Sequence, residues 1–167
     1  MSITLPIATT HKPTNPFARR TGLLQRFDSR STMKDATEII PDHLWQSSDP
    51  SPELLKEIHP NHIVDCRWFD DDHGTLPTDM AKISAIADSV ATLVRSGCRV
   101  LVHCTAGINR SSFITCLVLI RLNYGWTGAQ AVRYLEFKRP GVLTNELFRK
   151  YLMSLNTNYT NDLETPL

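Results

Sequence analysis

The stretch from His103 to Ser111 limits what this chain can fold into more than any other part of the sequence. The mostly apolar residues Arg99 to Val102 lead into it, and the run from Phe113 to Leu122, apolar almost all round, follows it. This order predicts a buried strand, a tight loop and then a helix. A loop that opens a helix presents backbone N–H groups without intrahelical partners, and the helix dipole adds partial positive charge there. The stretch is therefore expected to bind oxyanions, phosphate above all.

Three residues within the stretch suggest what this anion site could do chemically. Cys104 stands at the start of the loop, and Arg110 stands at its end. A thiol among N–H donors and beside a guanidinium should have a pKa well below the ordinary value of about 8.5, and the thiolate is a nucleophile. Arg110 offers a planar fork that can hold two oxygens of a phosphoryl group. Gly107 suits a backbone turn that brings its N–H close to a ligand.

The run His-Cys-Thr-Ala-Gly-Ile-Asn-Arg-Ser resembles the signature loop of the cysteine-dependent phosphatases, His-Cys-x-x-Gly-x-x-Arg-Ser/Thr, in the form of their dual-specificity branch. The resemblance covers about residues 39–155 and includes the later segment 139–145, followed by Phe148. It implies a phosphoric monoester hydrolase in which Cys104 forms a cysteinyl-phosphate, with no metal and no other cofactor. The backbone that would hold the phosphoryl oxygens belongs to Thr105, Ala106, Gly107, Ile108, Asn109 and Arg110.

Three further residues are candidates for supporting roles. Ser111 can donate a hydrogen bond to the sulfur and so ease departure of the thiolate, or it can cap the following helix. His103 precedes Cys104 on a strand, so its side chain should point away from the ligand and orient the loop by hydrogen bonding. The resemblance suggests that Asn145 steadies the loop, and the alternative is that it caps the last helix.

The general acid for the leaving oxygen is expected on a mobile loop above the site. An acidic run, Asp70 to Asp72, follows a predicted strand end. In the family that the chain resembles, the general acid lies a characteristic number of residues before the cysteine. This spacing favours Asp72 as the general acid, with Asp71 and Asp70 as the alternatives. Consecutive side chains point in different directions, so the other carboxylates are expected to cap the loop itself.

Short apolar strands alternate with amphipathic helices along the rest of the chain. Strands are predicted at 44–46, 62–68 and 99–103, and helices at 52–58, from 78 or 79 to about 95, at 113–122, at 127–138 and at 145–155. This alternation predicts an α/β fold with a central, mainly parallel sheet of about four to five strands flanked by helices. Only one clear strand fits between the first helix and the acidic run, where the family resembled places two, so a sheet trimmed on that side is expected.

Three regions are predicted along the chain. Residues 1–35 are expected to form a flexible basic N-terminal extension, 36–156 a dual-specificity phosphatase-like catalytic domain, and 157–167 a polar C-terminal tail. The extension has six basic and two acidic residues. The alternative to a merely flexible extension is that Arg19 and Arg20 help to attract an anionic substrate or partner.

Composition narrows the function classes. The formal net charge of +1 gives no global field that would recruit nucleic acid or a membrane surface. The family resemblance implies a phosphorylated protein as the partner. The sequence has no apolar run long enough to span a bilayer. The four cysteines show neither metal-site nor disulfide spacing, and a reactive thiolate is expected in a reducing compartment, the cytoplasm. The oligomeric state stays open.

Several rival interpretations remain open from the sequence. A phosphatase for phosphoinositides or RNA 5′-phosphates would use a similar loop, but such relatives often carry extra Lys or Arg inside it, and here the variable loop positions are uncharged. A non-catalytic phosphate-binding module and a sulfur-transfer or arsenate-reducing enzyme are further alternatives. Cys66 is either a small core residue or a partner that traps oxidised Cys104 as a disulfide.

Overall fold

The computed structural model of the protein describes residues 36–123 and 125–156, and within them the chain forms a four-stranded sheet and five helices. The strands are β1 (Ala36–Ile40), β2 (Leu44–Ser47), β3 (His62–Asp65) and β4 (Val100–His103). The helices are α1 (Pro52–Ile58), α2 (Met80–Arg95), α3 (Arg110–Leu122), α4 (Gly128–Lys138) and α5 (Glu146–Ser154). The predicted extension at 1–35 and tail at 157–167 lie outside the described residues, so this division of the chain stays a prediction.

The sheet has the strand order β1-β2-β4-β3. Both β2 and β3 run parallel to β4, and only β1 is antiparallel to its neighbour, which confirms the predicted mainly parallel α/β sheet. All four residues of β4 are buried, as expected for a strand with neighbours on both edges and helices on its faces. The loop after His103 therefore starts at the carboxyl end of a central strand, where open α/β sheets bind their ligands.

The sheet is short on the side of β3. As predicted, β3 is the single strand between α1 and the acidic run, but it ends at Asp65 and not at Trp68. It ends there because the Arg67 N–H donates to the Asp65 carboxylate at 2.9 Å, which turns the chain. The Cys66 N–H still donates to the His103 carbonyl at 2.8 Å, so this segment stays beside the loop that follows β4.

Sequence interpretation missed β1. Its residues, Ala-Thr-Glu-Ile-Ile, do not alternate between polar and apolar, and the register with β2 changes between Glu38 and Ile40. A strand at the edge of a sheet with an irregular register lacks the period of two that marks a strand in sequence. Here tertiary pairing with β2 defines the strand, and the local pattern does not.

The predicted helix starts are confirmed at two places. The Ser51 hydroxyl accepts from the Leu54 N–H at 3.1 Å at the start of α1. At the start of α4, which the sequence places at residue 127, Thr127 and Gln130 form a capping box. The central helix α3 begins at Arg110, three residues before the apolar run suggested, so its first turn belongs to the anion-binding stretch.

The main hydrophobic core lies between the sheet and the helices α2 to α5, with α3 buried along almost its whole length. A smaller apolar cluster lies under α1 on the opposite face and contains Trp45, Leu54 and Leu101. Phe148 of α5 stacks on Phe113 of α3, with 4.6 Å between ring centroids, and it also contacts Phe69. Since Phe69 immediately precedes the acidic run, the core holds one end of that loop.

No described helix combines the length and the apolar character needed to cross a membrane.

We expect Phe148→Ala to lower the free energy of unfolding by about 3–5 kcal/mol, because a wholly buried aromatic ring leaves a cavity. The matched control is Phe137→Ala, whose side chain is 67% exposed and should cost less than about 1 kcal/mol. Urea unfolding measures both. Equal losses in the two variants would contradict this description of the core.

Candidate active site

The loop between β4 and α3 forms a cup that opens at the carboxyl edge of the sheet. Cys104 stands at its start, 2% exposed, and the first turn of α3 closes it with Arg110 and Ser111. Gly107 has φ +66°, and a Cβ at this position would lie 2.6 Å from the Ser48 nitrogen. Both the left-handed backbone and the close approach of β2's end therefore require glycine at the bottom of the turn.

Carbonyl groups of the loop point outward and are held by neighbouring segments. The Thr105 carbonyl accepts from the Asp49 N–H at 3.3 Å, and the Ile108 carbonyl accepts from the Leu143 N–H at 3.0 Å. In a trans peptide the C=O and the following N–H point in opposite directions, and the described residues contain no cis peptide. The N–H groups of Ala106 and Asn109 are therefore directed toward the inside of the cup.

The sulfur of Cys104 faces this set of donors. The Gly107 N–H lies 3.2 Å from Sγ, and the Ser111 hydroxyl oxygen lies 3.3 Å from it. Burial by itself would raise the pKa of Cys104, but hydrogen bonds from the Ser111 hydroxyl and from the N–H groups of Ser111, Gly107 and Ile108 outweigh it. The net result is a pKa lowered from the ordinary thiol value, as the sequence predicts for a thiol in this place.

Other cysteines of the chain have the opposite environment. Burial raises the pKa of Cys66 and of Cys116, both of which are wholly buried. The thiols at these positions are therefore held in the neutral form, which is a poor nucleophile. Cys66 lies beside the loop through its backbone bond to His103, and its predicted redox role stays a prediction.

The side chain of Arg110 lies across the mouth of the cup. One terminal nitrogen donates to the carbonyls of Arg67 and Phe69 at 3.3 and 3.4 Å, and the other donates to the Thr105 hydroxyl at 3.1 Å. Among the described residues, its buried Nε has no hydrogen-bond partner. The guanidinium is thus fixed at its outer end, while one inner N–H remains available for an anion.

The acidic run brings one carboxylate to the cup, and it belongs to Asp71. Its two carboxylate oxygens accept from the side-chain amides of Asn109 and Asn145, each at 2.9 Å. Asp72, which the sequence favoured, is exposed and accepts from the Gly74 N–H at 2.8 Å within its own loop. Asp72 thus has the loop-capping contacts that were expected of the carboxylates not facing the site. Spacing alone did not distinguish Asp71 from Asp72, because neighbouring residues of a loop differ in direction.

Asn145 combines both roles that the sequence left open. Its side-chain oxygen accepts from the N–H groups of Leu147 and Phe148, which caps α5, while its amide nitrogen donates to Asp71. Its own backbone N–H donates to the Asn109 side-chain oxygen at 3.0 Å. Asn145 therefore connects the last helix, the cup and the acidic loop.

Ser111 and His103 differ in how far their contacts match the expectations. Ser111 lies inside α3, whose N-cap position is Asn109, so the structure shows the contact with sulfur and not a capping role. The buried Nδ1 of His103 has no hydrogen-bond partner within the described residues and lies 3.8 Å from the Asp49 carboxylate. Burial lowers the pKa of His103, partly opposed by the nearby Asp65 carboxylate. Its predicted loop-supporting role stays a prediction.

Sequence reasoning missed the parts that Asp49 and Arg67 play beside the cup. Asp49 contributes the N–H that holds the Thr105 carbonyl, and Arg67 contributes a carbonyl that fixes Arg110. The Arg67 side chain also bonds the carboxylates of Asp49 and Asp65. These residues act through the backbone or through each other, and they come from distant parts of the sequence, so no motif marks them.

Over the described ranges, no group of three or more His, Cys, Asp or Glu residues is placed to hold a metal ion.

Comparisons with known proteins agree on the kind of domain. Residues 46–158, more than half of the chain, match the family model described as the dual specificity phosphatase catalytic domain. The chain is 27% identical over 95 residues to tyrosine-protein phosphatase CDC14 of Saccharomyces cerevisiae, a match that covers 50% of this chain and 16% of that protein. A second match, to CDC14 of Candida albicans, has 26% identity over 106 residues and covers 62% of this chain and 17% of the relative.

Similar folds occur among solved structures. Human DUSP28 superimposes with a TM-score of 0.61 at 20% identity, over 71% of this chain and 90% of that chain. PTP-2 phosphatase of Cydia pomonella superimposes with a TM-score of 0.61 at 19% identity, over 72% of this chain and 89% of that chain. At these identities the likeness shows the fold alone.

We expect Gly107→Ala to destabilise the protein more than Gly97→Ala does. Both glycines have a left-handed backbone, with φ of +66° and +84°, so alanine at either position should cost about 1–2 kcal/mol in strain. At Gly107 the new Cβ would also overlap the backbone of Ser47 and Ser48, adding about 1–3 kcal/mol. At Gly97 a Cβ would meet no described atom within 4 Å. Urea unfolding compares them, and equal losses would show that the cup does not pack against the end of β2.

Proposed function

Since the chain belongs to the dual specificity phosphatase catalytic domain family, we propose that it hydrolyses phosphate monoesters of proteins. Its substrates are phosphotyrosine together with phosphoserine and phosphothreonine, and the reaction passes through a cysteinyl-phosphate on Cys104. The chain spans only 16% and 17% of the length of the two curated relatives, so the activity of those whole proteins is not transferred to it. The proposal rests on the chemistry of the cup itself.

One observation carries the proposal: the Cys104 sulfur accepts from the N–H donors of a cup that ends in Arg110, whose Nε has no hydrogen-bond partner among the described residues. The donors stabilise a thiolate, which is the attacking group. The same donors, together with the guanidinium, would hold the three equatorial oxygens of a phosphoryl group as negative charge moves onto them. A site built only to bind phosphate would not need a low-pKa thiol at its base.

In the first half of the proposed reaction the Cys104 thiolate attacks phosphorus. The S–P bond forms, the bond between phosphorus and the leaving oxygen breaks, and that oxygen takes a proton from a carboxylic acid. Arg110 is already fixed by the Arg67 and Phe69 carbonyls and the Thr105 hydroxyl, so little reorganisation is needed when the phosphoryl group enters.

In the second half a water attacks the cysteinyl-phosphate. The same carboxylate takes a proton from the water, the S–P bond breaks, and inorganic phosphate leaves. Charge returns to the sulfur in this step. The Ser111 hydroxyl, 3.3 Å from Sγ, donates a hydrogen bond that stabilises the departing thiolate.

We assign the general acid to Asp71. Its carboxylate is half-buried and tied directly to Asn109 of the cup, whereas the carboxylate of Asp72 is exposed and committed to its own loop. Asn109 and Asn145 hold the two oxygens of Asp71 from the cup side, so they act as positioning residues for proton transfer. This assignment replaces the Asp72 that the spacing favoured.

The charges around the cup favour a protein substrate over a polyanion. The carboxylates of Asp49, Asp70 and Asp72 are exposed on the two segments that contact the cup, and the Arg67 side chain is engaged by Asp49 and Asp65. An open cavity of about 420 Å³ beside the acidic run is lined by Asp70, Asp71 and Asp72 and by Asp79 at the start of α2, among other residues. Phosphoinositides and 5′-phosphorylated RNA carry several further negative charges, which these exposed carboxylates would repel.

A thiolate nucleophile also suits a reducing compartment, and we propose that the protein acts in the cytoplasm.

A substrate panel tests the proposed function. Phosphotyrosine, phosphoserine and phosphothreonine peptides, a phosphoinositide and a 5′-phosphorylated RNA are each incubated with the protein in the presence of a metal chelator, and released phosphate is measured. We expect turnover of the peptides and little of the two polyanions. Cys104→Ser should lose activity on every substrate, since an alcohol in the same place is not ionised.

Two results of this panel would overturn parts of the proposal. Unchanged turnover in Cys104→Ser would exclude Cys104 as the nucleophile. Phosphate release from the phosphoinositide or the RNA, with none from the peptides, would keep the enzyme class and replace the substrate class.

Exchanging the two neighbouring aspartates tests the acid assignment. We expect Asp71→Asn to slow hydrolysis of phosphoserine peptides about 10²–10⁴-fold, because alkoxide leaving groups need protonation. The loss should be smaller for aryl phosphates with good leaving groups. Asp72→Asn is the matched control and should retain most activity. A large loss in Asp72→Asn with none in Asp71→Asn would return the assignment to Asp72.

A further inference from the structure

We propose that Gln46 of β2 and Arg139 after α4 are positioning residues that orient the peptide between Gly107 and Ile108. They hold its carbonyl behind the cup, so that its N–H faces the sulfur and the substrate phosphoryl group. This inference rests on the proposed function, because it assigns the two side chains a part in preparing that same cup. Neither residue touches the sulfur in the described structure.

The geometry of the carbonyl is the first support. The Gly107 carbonyl oxygen accepts from Gln46 Nε2 at 3.1 Å and from Arg139 Nε at 3.1 Å. The other outward carbonyls of the cup, at Thr105 and Ile108, are each held by one backbone N–H. Within the described residues, this middle peptide is held by two side chains, and because it is trans, fixing its C=O outward fixes the Ile108 N–H inward.

The burial of Gln46 is the second support. Its side chain is wholly buried in a strand, and burying an amide costs free energy unless it is hydrogen-bonded. Its Nε2 uses its second N–H on the Ser112 hydroxyl at 2.6 Å, which links β2 to the first turn of α3. Its Oε1 finds no hydrogen-bond partner in the described part of the chain. The amide is therefore buried with one polar atom unsatisfied there, while both N–H groups of Nε2 are used on the cup and on α3, as expected of a side chain that orients the Gly107 carbonyl.

Arg139 supplies the charged half of the pair. The guanidinium is anchored at its far end by the Thr37 hydroxyl, 3.0 Å from Nη1. A Cβ on Gly107 would lie 2.7 Å from Nη2, so the arginine packs directly against the glycine. A hydrogen bond from a cation to a carbonyl polarises the whole peptide group, which makes its N–H a stronger donor.

The chemical consequence falls on the Ile108 N–H. This group is among the donors that lower the pKa of Cys104, and it belongs to the loop N–H groups that are proposed to hold the phosphoryl oxygens. Without the two side chains, the peptide at a glycine with φ +66° can rotate, and the N–H would no longer be fixed toward the sulfur. The loss should therefore be seen in the ionisation of Cys104 before substrate is added.

The pH dependence of Cys104 alkylation by iodoacetamide, followed by mass spectrometry of the Cys104 peptide, measures this ionisation. We expect Gln46→Leu and Arg139→Met each to raise the pKa of Cys104. A rise of about one pKa unit would slow alkylation about tenfold at pH values below both pKa values. Arg139→Lys should recover part of the effect, since it keeps the charge and one donor.

Arg149→Met is the matched control. Arg149 of α5 is another arginine whose guanidinium is held by a neighbouring element, but its partner is the Glu136 carboxylate of α4 and not a carbonyl of the cup. We expect its alkylation profile to equal that of the wild type. Thermal unfolding of every variant ensures that only folded protein is compared. If Gln46→Leu does not fold, the comparison of Arg139→Met with Arg139→Lys tests the positioning role.

The outcomes separate this inference from the proposed function. A folded Arg139→Met or Gln46→Leu with the wild-type alkylation profile would overturn the positioning role while leaving the phosphatase proposal intact. An ordinary thiol pKa for Cys104 in the wild type would instead undermine the proposed function itself. Protection of Cys104 by inorganic phosphate, weaker in Arg139→Met than in Arg149→Met, is the expected second readout, and equal protection would count against the inference.

Discussion

The site depends on a competition between burial and hydrogen bonding at one sulfur atom. Burial opposes ionisation of Cys104, and without compensation its thiol would be as inert as those of Cys66 and Cys116. What distinguishes Cys104 is that N–H groups and a hydroxyl converge on it. Those donors can converge only if the intervening peptides turn their carbonyls outward, so the orientation of a few peptide groups controls the chemistry.

The fold supplies the groups that hold these carbonyls. Asp49, which follows β2, holds the Thr105 carbonyl, and Leu143, which precedes α5, holds the Ile108 carbonyl. The segment after β3 fixes Arg110 through its carbonyls, and Asn145 ties α5 to the acidic loop. Because the three parallel strands end at one edge of the sheet, their following segments meet around the cup. The order and direction of the strands therefore determine which segments surround the cup.

The sequence predicted the parts of this arrangement that are contiguous in the chain. The strand, the loop and the helix around Cys104 follow one another, so the cup, the thiol of lowered pKa and the arginine at its end can be inferred from local pattern. The trimmed sheet and the start of a helix at residue 127 were predicted for the same reason, and both are confirmed. The mainly parallel sheet follows from the alternation of strands and helices.

The sequence could not predict directions and distant contacts. Counting residues back from Cys104 cannot distinguish Asp71 from Asp72. The hydrogen bonds from the side chains of Asn109 and Asn145 to the Asp71 carboxylate do distinguish them. β1 is defined by its pairing with β2 and has no pattern of its own. Gln46 reads as an ordinary strand residue, and its contact with the Gly107 carbonyl joins positions 61 residues apart.

A crystal structure of the protein with bound vanadate tests the central claim most directly, because vanadate adopts the geometry of a phosphoryl group under attack. We expect vanadium bonded to Cys104 Sγ, with its equatorial oxygens on the N–H groups between Thr105 and Arg110 and on the Arg110 guanidinium. Vanadate bound elsewhere, or a Cys104 sulfur turned into the core with the loop N–H groups facing outward, would contradict it.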